Sequence, residues 1–132
     1  MDTDQAWREW AEQDPYYAVV SDDAFRGENL QRNLDRFFRS GDQLIASVLE
    51  QAKRHGMEPR RYELALDFGC GVGRLSMPLA RRFQRVVGID VSPEMLREAE
   101  KNCALFDIKN ASFLVSDSAL QGVEDQFDFV NS

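Results

Sequence analysis

Two hydrophobic patterns divide the chain near residue 62. Before this point apolar residues recur every three or four positions, which is typical of amphipathic helices. After it, short and almost continuous apolar runs alternate with helical patterns, which indicates buried parallel strands joined by helices. The patterns therefore predict a helical leader over residues 1–61 and a sheet-forming half-domain over residues 62–132.

The pattern of the leader predicts three helices. The first covers Asp4 to Gln13, and the second runs from about Glu28 to Phe38 and ends near Ser40 and Gly41. The third carries one apolar stripe, made of Leu44, Ile45, Val48, Leu49 and Ala52. The single histidine, His55, falls in its last turn, where positive charge complements the helix dipole, so a structural role is favoured over catalysis.

The second half predicts four strands, Tyr62 to Phe68, Arg85 to Asp90, Ala111 to Val115 and Gln126 to Val130. The predicted connections are helices over Arg74 to Phe83 and from a Ser92 cap to about Leu105, then a short turn or helix around Ser118 to Gly122. Pro78 must lie in or near the first turn of its helix or bend it. The alternation predicts parallel pairing through right-handed crossovers.

Composition narrows the class of protein. With 132 residues, 43% apolar and 30% charged, the chain fits one globular domain with a real core. A net charge of −7 argues against a nucleic-acid partner. No apolar run approaches a membrane span and no signal peptide is visible, so we expect a cytoplasmic protein without a membrane partner. Cys70 and Cys103 lack the spacing of a disulfide framework or a zinc site, and no metal is expected.

The first predicted strand ends in a glycine-rich turn, with glycines at positions 69, 71 and 73 and an acid at Asp67. In an open α/β sheet such a turn brings the backbone against a nucleotide-like ligand. Dinucleotide-binding turns follow GxGxxG, but here Arg74 stands in the place of the last glycine. Asp67 would also repel a phosphate, so the turn favours a cationic ligand over a pyrophosphate.

The spacing D-x-G-x-G-x-G resembles motif I of class I S-adenosylmethionine (SAM)-dependent methyltransferases. Three further segments resemble the same family. They are Val86 to Ser92, where the family's second strand ends in an acid, Ser116 to Ala119 after the third strand, and Phe127 to Ser132 at the fourth. Together the four motifs cover residues 64–132 in family order.

The resemblance implies SAM as cofactor and a role for each matching residue. Asp90 would hold both ribose hydroxyls, and Asp117 would receive the adenine amino group while Ser118 donates from its backbone. Val91 and Met95 would pack on the adenine. The complete set of implied cofactor-binding residues is Asp67, Gly69, Cys70, Gly71, Gly73, Arg74, Asp90, Val91, Met95, Asp117 and Ser118.

Structural alternatives remain for these positions. Asp67 could cap the loop, Asp90 could cap the following helix and Asp117 could be an ordinary turn residue. Arg74 could pair with the cofactor carboxylate or with an acidic neighbour. The leader segments Asp14 to Tyr17 and Phe37 to Gly41 resemble segments that fold over the cofactor in small-molecule methyltransferases, and plain packing is an equal alternative.

The implied fold is a Rossmann-like open parallel sheet of order 3-2-1-4. Class I methyltransferases normally carry about seven strands, so the chain resembles the N-terminal portion of such an enzyme, with the C-terminal strands and substrate loops absent. We expect strand four to form an exposed edge, so that the chain is either a truncated product or a homodimer through that edge.

Three functional classes follow. The favoured one is a SAM-dependent methyltransferase of a small-molecule acceptor, whose isolated 132-residue chain could be inactive. The second is a non-catalytic SAM-binding or interaction domain. The third, an NAD(P)-dependent oxidoreductase, is opposed by Asp67 and the GxGxG spacing. No catalytic residue is identified, because methyl transfer from a sulfonium chiefly needs alignment of the reacting atoms.

Overall fold

A computed structural model describes residues 30–116 and 127–131, with side chains from residue 34 onward in the first helix. The elements in chain order are α1 (Leu30–Arg54), β1 (Leu64–Phe68), α2 (Ser76–Ala80), β2 (Arg85–Asp90), α3 (Pro93–Leu105), β3 (Ala111–Val115) and β4 (Phe129–Asn131). The helix predicted over Asp4 to Gln13 and the turn predicted around Ser118 to Gly122 lie outside the described residues.

The four described strands form one sheet in the order β3-β2-β1-β4, and every pairing is parallel. This confirms the predicted Rossmann-like order. In the register of the sheet Asp67 lies beside Gly88 on one side and Asn131 on the other. The carboxyl ends of β1, β2 and β4 therefore meet at one edge of the sheet, which we call the carboxyl edge.

The first helix differs from the prediction, because α1 is continuous over 25 residues where a break near Ser40 and Gly41 was expected. The Ser40 hydroxyl donates to the Phe37 carbonyl at 2.6 Å, a bond that is compatible with a helix interior. Gly41 is buried against the chain after β1: a Cβ on it would overlap the Arg74 carbonyl oxygen and lie 2.9 Å from Arg74 Cγ. Glycine is thus explained by close approach and not by helix termination.

Two groups of buried side chains form the core. One contains Phe37, Phe38, Val72, Met77, Met95 and Cys103, and the other contains Ile45, Ala65, Leu79, Ala80, Phe83 and Val86. The helix α1 contributes to both, since Phe37 and Ile45 are completely buried. The division into a leader and a half-domain at residue 62 remains a prediction, but α1 packs as part of the same core.

The helix α2 is shorter than predicted and begins after the loop. Pro78 is its third residue, as the requirement for a first-turn position demands. The chain leaves α2 through a turn in which Phe83 N–H donates to the Leu79 carbonyl at 2.8 Å. The Asn110 amide donates to the Ala80 carbonyl at 2.7 Å and satisfies this helix end.

The bounds of β2 and β3 are those predicted, and α3 begins as predicted. Met95 N–H donates to the Ser92 hydroxyl at 3.2 Å, which confirms Ser92 as the N-cap. The strands β1 and β4 start later than the apolar pattern suggested. No helix within residues 30–116 and 127–131 is long and apolar enough to cross a membrane.

We predict that Gly41→Ala destabilises the protein. In an exposed helix interior this change stabilises by about 1 kcal/mol, but here the added Cβ collides with the Arg74 backbone, and overpacking of this kind costs about 1–3 kcal/mol. Urea unfolding measures the difference. Ser47→Ala, at an exposed position of α1, is the control and should change the free energy of unfolding by less than about 0.5 kcal/mol. A more stable Gly41→Ala protein would contradict the packing described here.

Candidate functional site at the carboxyl edge

The loop between β1 and α2 is fixed to the end of β2 by its backbone. The N–H groups of Gly69 and Cys70 both donate to the Ile89 carbonyl, at 2.7 and 3.0 Å. The glycines at 69, 71 and 73 have φ values of +74°, +54° and +89°, a region that side chains rarely adopt. The predicted glycine loop is thus a tightly wound turn that presents backbone, without side chains at these three positions, to the carboxyl edge.

Asp90, the last residue of β2, holds both the loop and the next turn. One carboxylate oxygen accepts from Gly71 N–H at 2.9 Å and the other accepts from Ser92 N–H at 3.0 Å. The helix cap itself is Ser92, so Asp90 supports the turn before α3 and does not replace the cap. Each carboxylate oxygen can accept a second hydrogen bond, and the side chain is only half-buried. Its place is therefore compatible with a further ligand.

Asp67 lies inside the protein, with 1% of its surface exposed. Its carboxylate oxygens accept from the Ser76 hydroxyl at 2.6 Å and from the Asn131 amide at 3.0 Å. Burial raises the pKa of this carboxyl, the two hydrogen bonds lower it, and the charge of Asp90 raises it further. The side chain thus joins β1, α2 and β4 below the loop. A direct cofactor contact by Asp67 stays a prediction.

Cys70 is a buried packing residue of the loop. Burial, followed by the charges of Asp67 and Asp90, raises the pKa of its thiol far above the ordinary value, so the group stays a thiol and not a nucleophilic thiolate. A Cβ on Gly88 would lie 3.0 Å from Cys70 Sγ and 2.6 Å from the Phe113 ring. Only glycine at this point of β2 leaves room for both side chains.

The remaining predicted residues lie around the same edge. Val91 follows β2 and is half-buried, whereas Met95 is 3% exposed and belongs to the core group with Phe37. Ser116 N–H donates to the Asp90 carbonyl at 3.1 Å, which brings the end of β3 to this edge. Asp117 and Ser118 lie outside the described residues, so their roles stay predictions.

Arg74 contacts α1. Its Nε donates to the Ser40 hydroxyl at 3.0 Å, and its guanidinium carbon lies 5.9 Å from the centre of the Phe37 ring. Partial burial lowers the pKa of the guanidinium. No ion pair joins Arg74 to an acid among the side chains that the structure describes. The acidic-neighbour alternative therefore finds no support in this part of the chain.

Several residues that build the site were not found from the sequence. Asn131 could have been identified, because it lies at the carboxyl end of β4 and the carboxyl ends of adjacent parallel strands lie at the same edge of a sheet. Asn102, whose amide donates to the Val72 carbonyl at 3.0 Å, interrupts an otherwise apolar helix face, and this was its signal. Nothing in the sequence pattern indicates that Ser76 and Ser40 contribute to the site. His55 is exposed in the turn after α1, and its structural role stays a prediction. The described residues contain no cluster of metal ligands.

We predict that Asp67→Asn and Asp67→Ala have opposite effects. Because the pKa of Asp67 is raised in the folded protein, its carboxyl keeps the proton at pH values above 3.8, the ordinary pKa. The stability that this proton contributes is complete below pH 3.8 and is lost as the pH rises through the pKa of the folded protein. Asp67→Asn should remove this pH dependence and be at least as stable at pH 7, since the Asn131 amide can rotate to suit it. Asp67→Ala removes the acceptor of the buried Ser76 hydroxyl and should cost about 1–3 kcal/mol.

Urea unfolding at a series of pH values tests the pair. Equal losses of stability in the two variants, or an Asp67→Asn protein with the pH dependence of the wild type, would contradict the assignment of Asp67 as a buried carboxylate whose charge is costly.

Comparison with known protein families gives one family match. A model of the methyltransferase domain matches residues 65–132, which is more than half of the chain. The match begins in β1 and includes the glycine loop, β2 with its last residue Asp90, β3 and β4. It therefore covers the carboxyl edge described above.

Curated relatives include 23S rRNA (uracil(1939)-C(5))-methyltransferases RlmD. The protein of Vibrio parahaemolyticus is 34% identical over 79 residues, covering 60% of this chain and 18% of the relative. That of Shewanella sediminis is 33% identical over 103 residues, covering 78% of this chain and 22% of the relative. The chain thus spans about a fifth of the length of these relatives.

Solved structures agree in fold. The magnesium protoporphyrin IX methyltransferase of Synechocystis, determined with bound SAM, has a TM-score of 0.63 at 26% identity and matches 98% of this chain and 61% of its own. The Haemonchus contortus phosphoethanolamine N-methyltransferase 1, with phosphoethanolamine and S-adenosylhomocysteine (SAH), has a TM-score of 0.67 at 18% identity and matches 96% and 23%. The second likeness concerns the fold alone.

These findings correct one prediction and confirm another. The expectation of a small-molecule acceptor and no nucleic-acid partner is contradicted by the rRNA methyltransferases among the relatives. The exclusion of nucleic acid came from the net charge of −7, a sum over the whole chain that does not describe local groups of cations. The small-molecule acceptor came from the resemblance of two leader segments to small-molecule methyltransferases. The identification from the glycine loop is confirmed: the chain belongs to the methyltransferase domain family and has the class I SAM-dependent methyltransferase fold.

Proposed function

We propose that this chain binds SAM at the carboxyl edge and provides the cofactor site of a methyltransferase. The observation that carries the proposal is the geometry of Asp90. Its two carboxylate oxygens are held by Gly71 and Ser92, and each keeps the capacity to accept one more hydrogen bond. Two adjacent hydroxyls of a ribose are donors that match this arrangement.

The charge of the edge supports SAM over a dinucleotide. Asp90 lies close enough to Asp67 for its charge to raise the pKa of the Asp67 carboxyl. Two neighbouring carboxylates repel a pyrophosphate but attract the sulfonium and ammonium of SAM. Arg74, the cationic residue that directly follows the glycine loop, donates to Ser40 of α1. The acidic side chains at the ends of β1 and β2 therefore favour SAM over a dinucleotide.

The glycine loop supplies the other part of the proposed site. Gly69 has open space where a Cβ would stand, and its positive φ presents backbone to the edge. Gly73 lies in ordinary contact with Ala99 of α3, at 3.5 Å for an added Cβ, so the loop rests directly on that helix. We propose that the loop backbone and the half-buried Val91 contact the cofactor, whereas Met95 supports the site from the core.

When bound, SAM supplies an activated methyl group. The residues at the edge would hold and orient it and exclude water from one side, which is the main requirement of an in-line displacement. Within residues 30–116 and 127–131 the groups with raised pKa at the edge are Asp67 and Cys70, and both are buried. We therefore assign no general base to the described part of the chain.

We further propose that the methyl acceptor is RNA. The named relatives are rRNA methyltransferases, and one feature of the chain is compatible with them. Arg36 and Arg39 are exposed on the same turn of α1 whose Phe37 and Ser40 contact Arg74 beside the glycine loop. Exposed arginines on this turn, which the glycine loop contacts through Arg74, can hold the phosphates of an acceptor strand.

We predict that wild-type protein binds SAM and SAH in calorimetric titration and that Asp90→Ala weakens the affinity at least about tenfold, or about 1.5 kcal/mol. The loss follows from removing the acceptor of both hydroxyls and of Gly71 N–H. The control is Asp35→Ala, an exposed acid of α1, which should bind like the wild type. Binding of NADH without SAM would contradict the proposed cofactor, and unchanged affinity in Asp90→Ala would contradict its assignment.

We predict that the double variant Arg36→Gln/Arg39→Gln binds a single-stranded rRNA oligonucleotide more weakly than the wild type. The slope of log affinity against log salt should fall by about 0.7 for each phosphate that the variant no longer neutralises. The matched control, Arg60→Gln/Arg61→Gln, removes two exposed arginines from the opposite edge, before β1. Fluorescence anisotropy measures both. Equal losses in the two double variants would indicate a general charge effect and contradict an acceptor site beside the loop.

A further inference from the structure

We propose that α1 sets the conformation of the cofactor loop through Arg74, which is a positioning residue and not a ligand of the cofactor. The part of this inference that concerns SAM affinity rests on the proposed function. Arg74 makes three contacts with one turn of α1, and it lies where the loop leads into α2.

On the α1 side the contacts are specific for an arginine. The Ser40 hydroxyl gives its hydrogen to the Phe37 carbonyl at 2.6 Å, so towards Arg74 it can only accept. Nε of Arg74 donates to it at 3.0 Å, while the guanidinium carbon lies 5.9 Å from the centre of the Phe37 ring. A planar group that both donates and stacks fits this place, and a lysine offers neither the plane nor the fixed donor direction.

The backbone of Arg74 is held as closely as its side chain. Gly41 has no room for a Cβ because the Arg74 carbonyl oxygen lies against it. A rigid helix therefore touches the main chain one residue after Gly73. At Gly73 φ is +89° and the N–H donates to the Cys70 carbonyl at 3.1 Å. A shift of α1 would therefore be transmitted directly to the last turn of the loop.

The contact between α1 and Arg74 also affects the start of α2. The carbonyl of Gly73 accepts from Met77 N–H at 3.1 Å, which begins the helix, and Ser76 in its first turn donates to Asp67. The position of Arg74 is thus shared by the loop and by the start of α2. We infer that the docking of α1 helps to select the loop geometry in which Gly71 N–H reaches Asp90.

A second contact between α1 and the region after α2 is weaker. Arg81 and Asp42 form an ion pair at 2.6 Å, but both side chains are about two-fifths exposed, at 41% and 44%. Exposed pairs of this kind contribute little, because solvent screens them. The hydrogen bond of Arg74 to Ser40 is half-buried, so solvent screens it less than the Arg81–Asp42 pair.

The experiment is a double-mutant cycle on the full chain with calorimetric titration of SAM. Ser40→Ala removes the acceptor on α1, and Arg74→Met removes the donor on the loop while keeping an unbranched side chain. If Arg74 acts through α1, each single variant weakens SAM binding about three- to tenfold, and the double variant is no weaker than Arg74→Met. Ser40→Thr keeps the hydroxyl and should bind SAM with the affinity of the wild type.

The controls are Ser47→Ala, an exposed position on the same helix, and Arg85→Gln, an exposed arginine at the start of β2. Both should bind SAM like the wild type. Wild-type affinity in Ser40→Ala together with weak binding in Arg74→Met would overturn the inference and make Arg74 a direct ligand. Independent, multiplying losses in the double variant would also overturn it.

Hydrogen exchange in the ligand-free protein separates this inference from the proposed function. The N–H groups of Gly71, Gly73 and Met77 should exchange faster in Ser40→Ala and Arg74→Met than in the two controls. If the wild type fails to bind SAM, the proposed function is wrong and the exchange rates decide whether α1 sets the loop. If SAM binds but these rates match those of the controls, the inference fails and the proposed function stands.

Discussion

The site depends on one constraint: the glycine loop must be pinned to the end of β2 so that its backbone faces the carboxyl edge. Two N–H groups, of Gly69 and Cys70, share the Ile89 carbonyl, and Gly71 N–H binds the Asp90 carboxylate. The same carboxylate stabilises the turn that leads into α3. One acidic residue thus orders the loop on one side and the next helix on the other, which explains why a ligand that binds Asp90 would be placed against both.

Local features of the site were readable from the sequence, whereas long-range ones were not. The capping serine before α3, the ends of β2 and the positive φ values of the loop follow from patterns within a few residues. Asn131, which donates to Asp67, and Ser40, which accepts from Arg74, stand 64 and 34 residues away from these partners, and no local pattern encodes them. Gly41 shows the consequence: its local pattern predicts a helix end, but packing against Arg74 explains it better.

The acceptor was the weakest part of the sequence interpretation, and the reason is physical. A net charge describes the field of a molecule at a distance, whereas a phosphate is held by two or three cations in contact. The chain combines an acidic total with exposed arginines on one turn of α1. The proposed cofactor site, in contrast, is built from backbone N–H groups, the half-buried Asp90 and the buried Asp67, whose geometry the strand order largely determines.

The most direct test of the central claim is a titration of 15N-labelled protein with SAH, followed by amide chemical shifts. The account predicts that the largest shifts occur at Gly69, Gly71 and Ser92, around the Asp90 carboxylate. Leu64, whose N–H donates to Asp128 at the opposite edge of the sheet, should not move. Shifts confined to other elements, or no shifts at saturating SAH, would contradict a cofactor site at the carboxyl edge.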